Sequence, residues 1–82
     1  MTAVPVFKAL EMAIRFHSAG QLQQAEQIYR QILQAEPGHA ESWHLLGMIA
    51  YQAGQRETAI EYVQRSLALL REKLTRRGLG EA

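Results

Sequence analysis

Residues 40–69 read AESWHLLGMIAYQAGQRETAIEYVQRSLAL and contain the clearest pattern in the chain. A shift of 34 residues lays it over residues 6–35, VFKALEMAIRFHSAGQLQQAEQIYRQILQA, so that AGQ at 53–55 meets AGQ at 19–21. Small residues coincide as well, since Ala13 meets Gly47 and Ala25 meets Ala59. A fixed period that holds two helical stretches and a glycine turn is typical of stacked helical hairpins.

Apolar residues recur at three- and four-residue spacings in four segments, which predicts four helices. Pro5 suits the start of the first helix, Pro37-Gly38 stops the second, and Gly20 and Gly54 suit left-handed helix ends. The short turns predict antiparallel neighbours. Apolar residues around most of the first helix predict contact on two of its sides, and Met12 and its counterpart Leu46 are expected to fill the space between helices.

The remaining two helices are predicted to begin near Ala40 and near Arg56, with the last one ending at Gly78. His39, in the Pro-Gly turn, is expected to start the third helix. The fourth helix is long, because its apolar pattern runs on past the repeat as an extension over residues 70–78.

Composition bounds the remaining choices. The chain has 82 residues, 48% of them hydrophobic, which fits one small domain over 1–82 and is too apolar for a disordered chain. There is no Cys, Asp or Asn, so disulfides and the common two-residue hairpin turns are excluded and an all-α fold is favoured. A net charge of +1 argues against a nucleic-acid module. No apolar run is long enough for a membrane span, and the N-terminus lacks a secretion signal, so we expect a cytoplasmic protein without membrane contact.

The second unit resembles the tetratricopeptide repeat family. The positions that match the family pattern are Trp43, Leu46, Gly47, Gly54, Ala59, Tyr62 and Leu67. The first unit matches at Ala25, Tyr29, Leu33 and Pro37, with Ala9 in place of the Trp. The resemblance covers repeat one at 6–39 and repeat two at 40–73, although Arg71 stands where the closing Pro is expected.

The resemblance implies a short right-handed solenoid of antiparallel helical hairpins that mediates protein–protein contact as a scaffold or adaptor. It implies a protein or peptide partner and no cofactor. The alternative is the N-terminal scaffold portion of a larger enzyme, such as a transferase with tetratricopeptide repeats.

In this family the first helix of each unit lines a concave groove. The resemblance places the groove here at Phe7, Leu10, Ile14, His17, His44, Met48 and Tyr51, with Ser18, Glu41 and Gln52 beside them. The Lys and Asn of a carboxylate clamp are missing, since Leu10, Ile14 and Leu45 stand there, and without Asn there is no Asn ladder. The groove predicted here is therefore apolar and suits an amphipathic helix. The members from the first helix could instead belong to the core.

The fourth helix carries a second apolar surface with the spacing of a helix-pairing stripe. This seam consists of Ile60, Val63, Leu67, Leu70 and Leu74. Three occupants are open at this point: a second copy in a homodimer, a different protein, or a further repeat of a longer chain. The seam could also simply complete the internal core.

Catalytic and metal chemistry finds little support in the sequence. The three histidines, His17, His39 and His44, show no i, i+4 pairing with an acidic partner. Glu57 and Glu61 form a like-charged i, i+4 pair, which is explained more simply by Glu57 near a helix N-terminus. The basic residues near the end of the fourth helix, Arg71, Lys73, Arg76 and Arg77, favour that helix end rather than nucleic acid. We therefore predict no metal site, no nucleic-acid binding and no enzymatic activity.

Overall fold

The computed structural model describes residues 5–76. They form four α-helices: α1 (Val6–Ser18), α2 (Leu22–Ala35), α3 (Ala40–Gln52) and α4 (Arg56–Arg76). No strand occurs between residues 5 and 76. The predicted all-α class with a long fourth helix is confirmed, while the right-handed solenoid remains a prediction. Gly78, predicted to end α4, lies outside the described residues.

The two AGQ turns close the two hairpins in the same way. Gly20 and Gly54 both have φ of 81°, a left-handed conformation that a side chain disfavours. The following residue then bonds back into the preceding helix: Gln21 N–H donates to Phe16 O at 2.9 Å, and Gln55 N–H donates to Ala50 O at 2.8 Å. The repeated tripeptide therefore encodes a repeated helix end.

His39, in the connection between the two hairpins, caps the N-terminus of α3. Its Nδ1 accepts a hydrogen bond from the Ser42 backbone N–H at 3.2 Å and lies 2.8 Å from Ser42 Oγ. This satisfies one of the free amides at the start of α3. The predicted role of His39 as a helix-start residue is confirmed, and α3 begins at Ala40 as expected.

Each helix packs against the next one along the chain, and the molecule is 18 Å thick in its smallest dimension. That thickness corresponds to about two helix layers. The buried core cluster consists of Ala13, Ala25, Tyr29, Leu46 and Ile49. Small residues at the equivalent positions 13 and 47, and 25 and 59, lie inside the hairpins, as the sequence predicts.

α3 and α4 lie close together at Gly47. A Cβ placed on it would lie 2.9 Å from Val63 Cγ2 and 3.3 Å from the Ala59 carbonyl oxygen. Val63 is β-branched and the carbonyl belongs to the backbone, so neither atom can move away cheaply. The distance between α3 and α4 therefore depends on a residue without a side chain.

One expectation for α1 is wrong. Met12 does not fill the space between helices, because 49% of its surface is exposed, whereas its counterpart Leu46 is 2% exposed. Leu46 lies between α2 and α4, the helices before and after α3. The described chain has no helix before α1, so Met12 has a neighbouring helix on the α2 side only. The predicted contact on two sides of α1 is limited, because His17 contacts both α2 and α3 while Phe7 and Ile14 remain exposed.

We expect Gly47→Leu to lower the free energy of unfolding by about 1–3 kcal/mol, because the new side chain forces α3 and α4 apart. Urea denaturation followed by circular dichroism measures this. Gly38→Leu is the control, since nothing lies within 4 Å of a Cβ at Gly38. An equal effect of both substitutions would contradict the packing role of Gly47.

Candidate functional site

The structure divides the predicted groove between two places. From α1, Ile14 and His17 line a cleft whose far side is formed by Glu41, Leu45 and Gln52 of α3. Leu10 is half-buried against the core, and Phe7 is 67% exposed. The α1 half of the groove is thus a narrow, partly polar cleft between the two repeats.

The α3 half of the groove lies elsewhere, beside the seam on α4. The face that α3 and α4 form together carries two concave surfaces. We call this face the α3–α4 trough; its residues are His44, Gly47, Met48, Tyr51, Ile60, Val63, Leu67 and Leu70. Groove and seam, predicted as two surfaces, therefore share one surface in this half of the molecule.

The α3–α4 trough is apolar and open. At the end flanked by Arg56 and Gln64, the lining exposes only apolar atoms. The exposed fractions of the seam side chains are 52% for Ile60, 56% for Leu67, 46% for Leu70 and 47% for Leu74. The seam does not simply complete the internal core, because no helix of the described chain covers it.

The corresponding surface of the first repeat is covered. Tyr29 stands at the position equivalent to Val63, and Leu33 at the position equivalent to Leu67. Tyr29 is fully buried and Leu33 is half-buried, since α3 packs against α2. The α3–α4 trough is thus the counterpart of a surface that already holds a helix in the first repeat.

A chain of hydrogen bonds joins three helices in the α1–α3 cleft. His17 Nε2 lies 3.0 Å from Gln52 Oε1, and His17 Nδ1 lies 3.3 Å from the Tyr29 hydroxyl. These contacts fit the tautomer in which Nε2–H donates to Gln52 and Nδ1 accepts from Tyr29. Burial raises the pKa of the Tyr29 hydroxyl, and the nearby negative charge of Glu41 raises it further. Through these two contacts, His17 of the first repeat bridges to Gln52 of the second repeat.

A second side-chain contact between the two repeats involves Arg30. Arg30 on α2 donates to Glu26 Oε2 at 2.7 Å and to the Tyr62 hydroxyl at 3.4 Å, and both bonds raise its pKa. Trp43 Nε1–H donates to the Pro37 carbonyl at 3.0 Å. Trp43 and Tyr62, two positions that match the family pattern, thus make contacts that stabilise the fold.

Residues 5–76 offer little metal-binding or membrane-spanning character. No group of three or more metal-ligating His, Cys, Asp or Glu side chains occurs in that range. No helix in it is long and apolar enough to cross a membrane. At the end of α4, Lys73 and Arg76 are exposed, and Arg76 pairs with Glu72 at 3.5 Å in the same helix. Arg77 lies outside the described residues.

Comparison with known families gives one match. A profile of the tetratricopeptide repeat family matches residues 16–73, most of the chain. The chain belongs to the tetratricopeptide repeat family. Comparison with curated proteins and with solved structures gives no match. The family is one of protein-interaction modules in general, and the matched residues include the whole of the α3–α4 trough.

Two parts of the site were missed from the sequence. The hydrogen bonds from His17 to Tyr29 and Gln52 depend on side-chain placement, which the repeat pattern does not report. That the groove and the seam lie on one surface could have been predicted from the sequence. The 34-residue shift aligns Val63 of the seam with Tyr29, a position that matches the family pattern.

The raised pKa of Tyr29 predicts how the free energy of unfolding depends on pH in the alkaline range. A pKa above the ordinary 10.0 means that the folded state keeps the proton longer than the unfolded state. The associated stability is complete below pH 10.0 and is lost as the pH rises toward the raised value. We expect the free energy of unfolding to fall less steeply above this pH in Tyr29→Phe than in the wild type.

Urea denaturation at several pH values between neutral and strongly alkaline measures this slope. At neutral pH the variant should be about 0.5–1.5 kcal/mol less stable, because the bond to His17 is lost. Tyr51→Phe is the control, since Tyr51 is 65% exposed. Equal slopes in all three proteins would show that Tyr29 is not the group responsible.

Proposed function

We propose that the chain is a protein-interaction module that self-associates by burying the α3–α4 trough and Leu74 against a second copy. The observation that carries this proposal is the exposure of four large apolar seam side chains on one face of α4. An apolar surface of this kind on a soluble domain marks an interaction site. The family supports protein contact in general, and the choice of a second copy is our proposal.

A different occupant of the same surface defines the second candidate. An apolar helix of another protein would fit the α3–α4 trough as α3 fits the first repeat, and so would the next repeat of a longer chain. The latter corresponds to the scaffold portion of a larger enzyme such as a transferase. A cytoplasmic location, the lack of catalysis and the lack of nucleic-acid binding remain predictions from the sequence.

Leu70→Glu combined with Leu74→Glu tests the seam. We expect this double variant to be monomeric with its helicity preserved, because two buried charges per chain would be left unpaired in the pair. Light scattering behind a sizing column, over a concentration series, gives the mass. Ala68→Glu with Thr75→Glu is the control, since both residues are exposed and lie outside the seam.

A wild type that stays monomeric at every concentration would overturn the self-association. A double variant that remains dimeric would show that the seam is the wrong surface.

Met48→Glu tests whether the surface includes α3. Met48 lies in the α3–α4 trough and is 41% exposed, so we expect its charged variant to weaken the pair about tenfold or more. Met12→Glu is a matched control, because Met12 is 49% exposed but lies on α1. If only the α4 variants dissociate the pair, the interface is the seam without the trough.

A further inference from the structure

We infer that the two copies pair through antiparallel α4 helices, with Glu57 of each copy opposite Arg71 of the other. This inference rests on the proposed self-association and adds its geometry. The two-fold axis then passes beside Gln64, which meets its own counterpart.

The first step excludes a head-to-tail array. The face of α3 that packs on the first repeat includes Ser42, Leu45 and Ile49, which are buried or half-buried. The equivalent positions on α1 are Lys8, Glu11 and Arg15, all exposed. Seating α1 of one copy in the α3–α4 trough of another would bury three charged side chains, which is strongly unfavourable.

The apolar surface of one copy therefore has to meet the same surface of the other. A contact of this kind is isologous and closes into a dimer with two-fold symmetry. The polar face of α1 then remains in solvent.

The second step fixes the direction of the helices. Seven-residue spacing places Glu57, Gln64 and Arg71 in a row along one flank of the seam, and all three are exposed. The other flank carries Ala59 and Ser66, which are buried at 7% and 3% exposure. In a parallel pair each flank would meet the opposite flank of the partner helix. In that arrangement the charged flank would face Ala59 and Ser66, which are buried and uncharged, so Glu57 and Arg71 would find no opposite charge.

In an antiparallel pair each flank meets its own copy running in reverse. Reversal about residue 64 brings position 57 opposite position 71, so that a carboxylate meets a guanidinium twice in the dimer. Within residues 5–76 neither Glu57 nor Arg71 has an ion-pair partner, whereas Glu72 and Arg76 already pair with each other. The flank is thus charged in a self-complementary way.

The seam agrees with the same arrangement. The seam lies on a different side of α4 from the flank, and its reversal centre is residue 65, one position further along. Reversal about residue 65 brings Ile60 opposite Leu70 and Val63 opposite Leu67, so apolar side chains meet apolar side chains. Leu74 comes opposite Arg56, which already contributes to the apolar wall of the α3–α4 trough. The aliphatic part of an Arg side chain can cover a Leu while its charged end reaches water.

The test is a charge exchange in the full chain. Glu57→Arg and Arg71→Glu are made separately and together, and sedimentation equilibrium at low salt gives the dimer dissociation constant. Each single variant should raise it about tenfold, since two exposed ion pairs become two repulsions. The double variant should return to within about threefold of the wild type. High salt should reduce these differences.

A mixture of the two single variants provides the sharpest readout. In the mixed dimer both contacts are again between opposite charges, so it should form at nearly wild-type strength while each variant by itself dimerises weakly. Glu61→Arg is the control for Glu57→Arg, since it makes the same charge change at an exposed position off the flank. Circular dichroism checks that each variant is folded. An Arg at position 57 is unfavourable at the N-terminus of α4, and the double variant contains the same Arg, so its recovery of binding cannot be due to a difference at that helix end.

The outcomes separate this inference from the self-association. If Leu70→Glu with Leu74→Glu dissociates the dimer but neither the double variant nor the mixture restores binding, the antiparallel arrangement is wrong and the self-association stands. If the wild type is monomeric throughout, both fail. Rescue in the double variant and in the mixture supports the arrangement.

Discussion

The seating of α3 on the first hairpin is the constraint on which the rest of the structure depends. It buries Tyr29 completely, and the Tyr29 hydroxyl then needs a polar partner inside the molecule. His17 supplies that partner from α1 and in turn contacts Gln52 of α3, so one side chain joins three helices. Because a buried hydroxyl without a partner is costly, this contact favours one position of the second repeat relative to the first.

The same packing rule explains why the two repeats differ at their outer surfaces. Every helix that covers a hairpin needs an apolar face, and α3 has one in Leu45 and Ile49. At the equivalent positions α1 carries Glu11 and Arg15, so its outer face is suited to water. The α3–α4 trough has no such adaptation and keeps Ile60 and Leu67 exposed. The asymmetry leaves the outer face of α1 polar and the outer face formed by α3 and α4 apolar.

The sequence predicted the helices and their ends well, because the signals are local and repeated. Gly54 ends α3 for the same reason that Gly20 ends α1, and the 34-residue shift shows both at once. Met12 was misjudged because the repeat pattern assigns it the environment of Leu46, although α1 has no preceding hairpin beside it. Periodicity describes an average repeat, and the end positions of a short array depart from it.

The candidate site was harder to predict because it depends on neighbours from two helices. The seam was evident from spacing within α4, but its junction with Met48 and Tyr51 requires the close approach at Gly47. The proposed direction of pairing rests on which flank of α4 is free, and the burial of Ser66 is a property of the folded hairpin. The roles proposed for Glu57 and Arg71 can be inferred only once that flank is known.

The proposed self-association would be coupled to folding in this molecule. α4 packs on α3 along one face only, and 21 residues of helix depend on that contact. An occupant that binds the folded chain and not the unfolded chain raises stability by mass action. A second copy, by covering Leu67 and Leu70, would therefore hold α4 in its helical form as well as complete the array. This coupling gives a physical reason for keeping an apolar surface that two repeats cannot cover themselves.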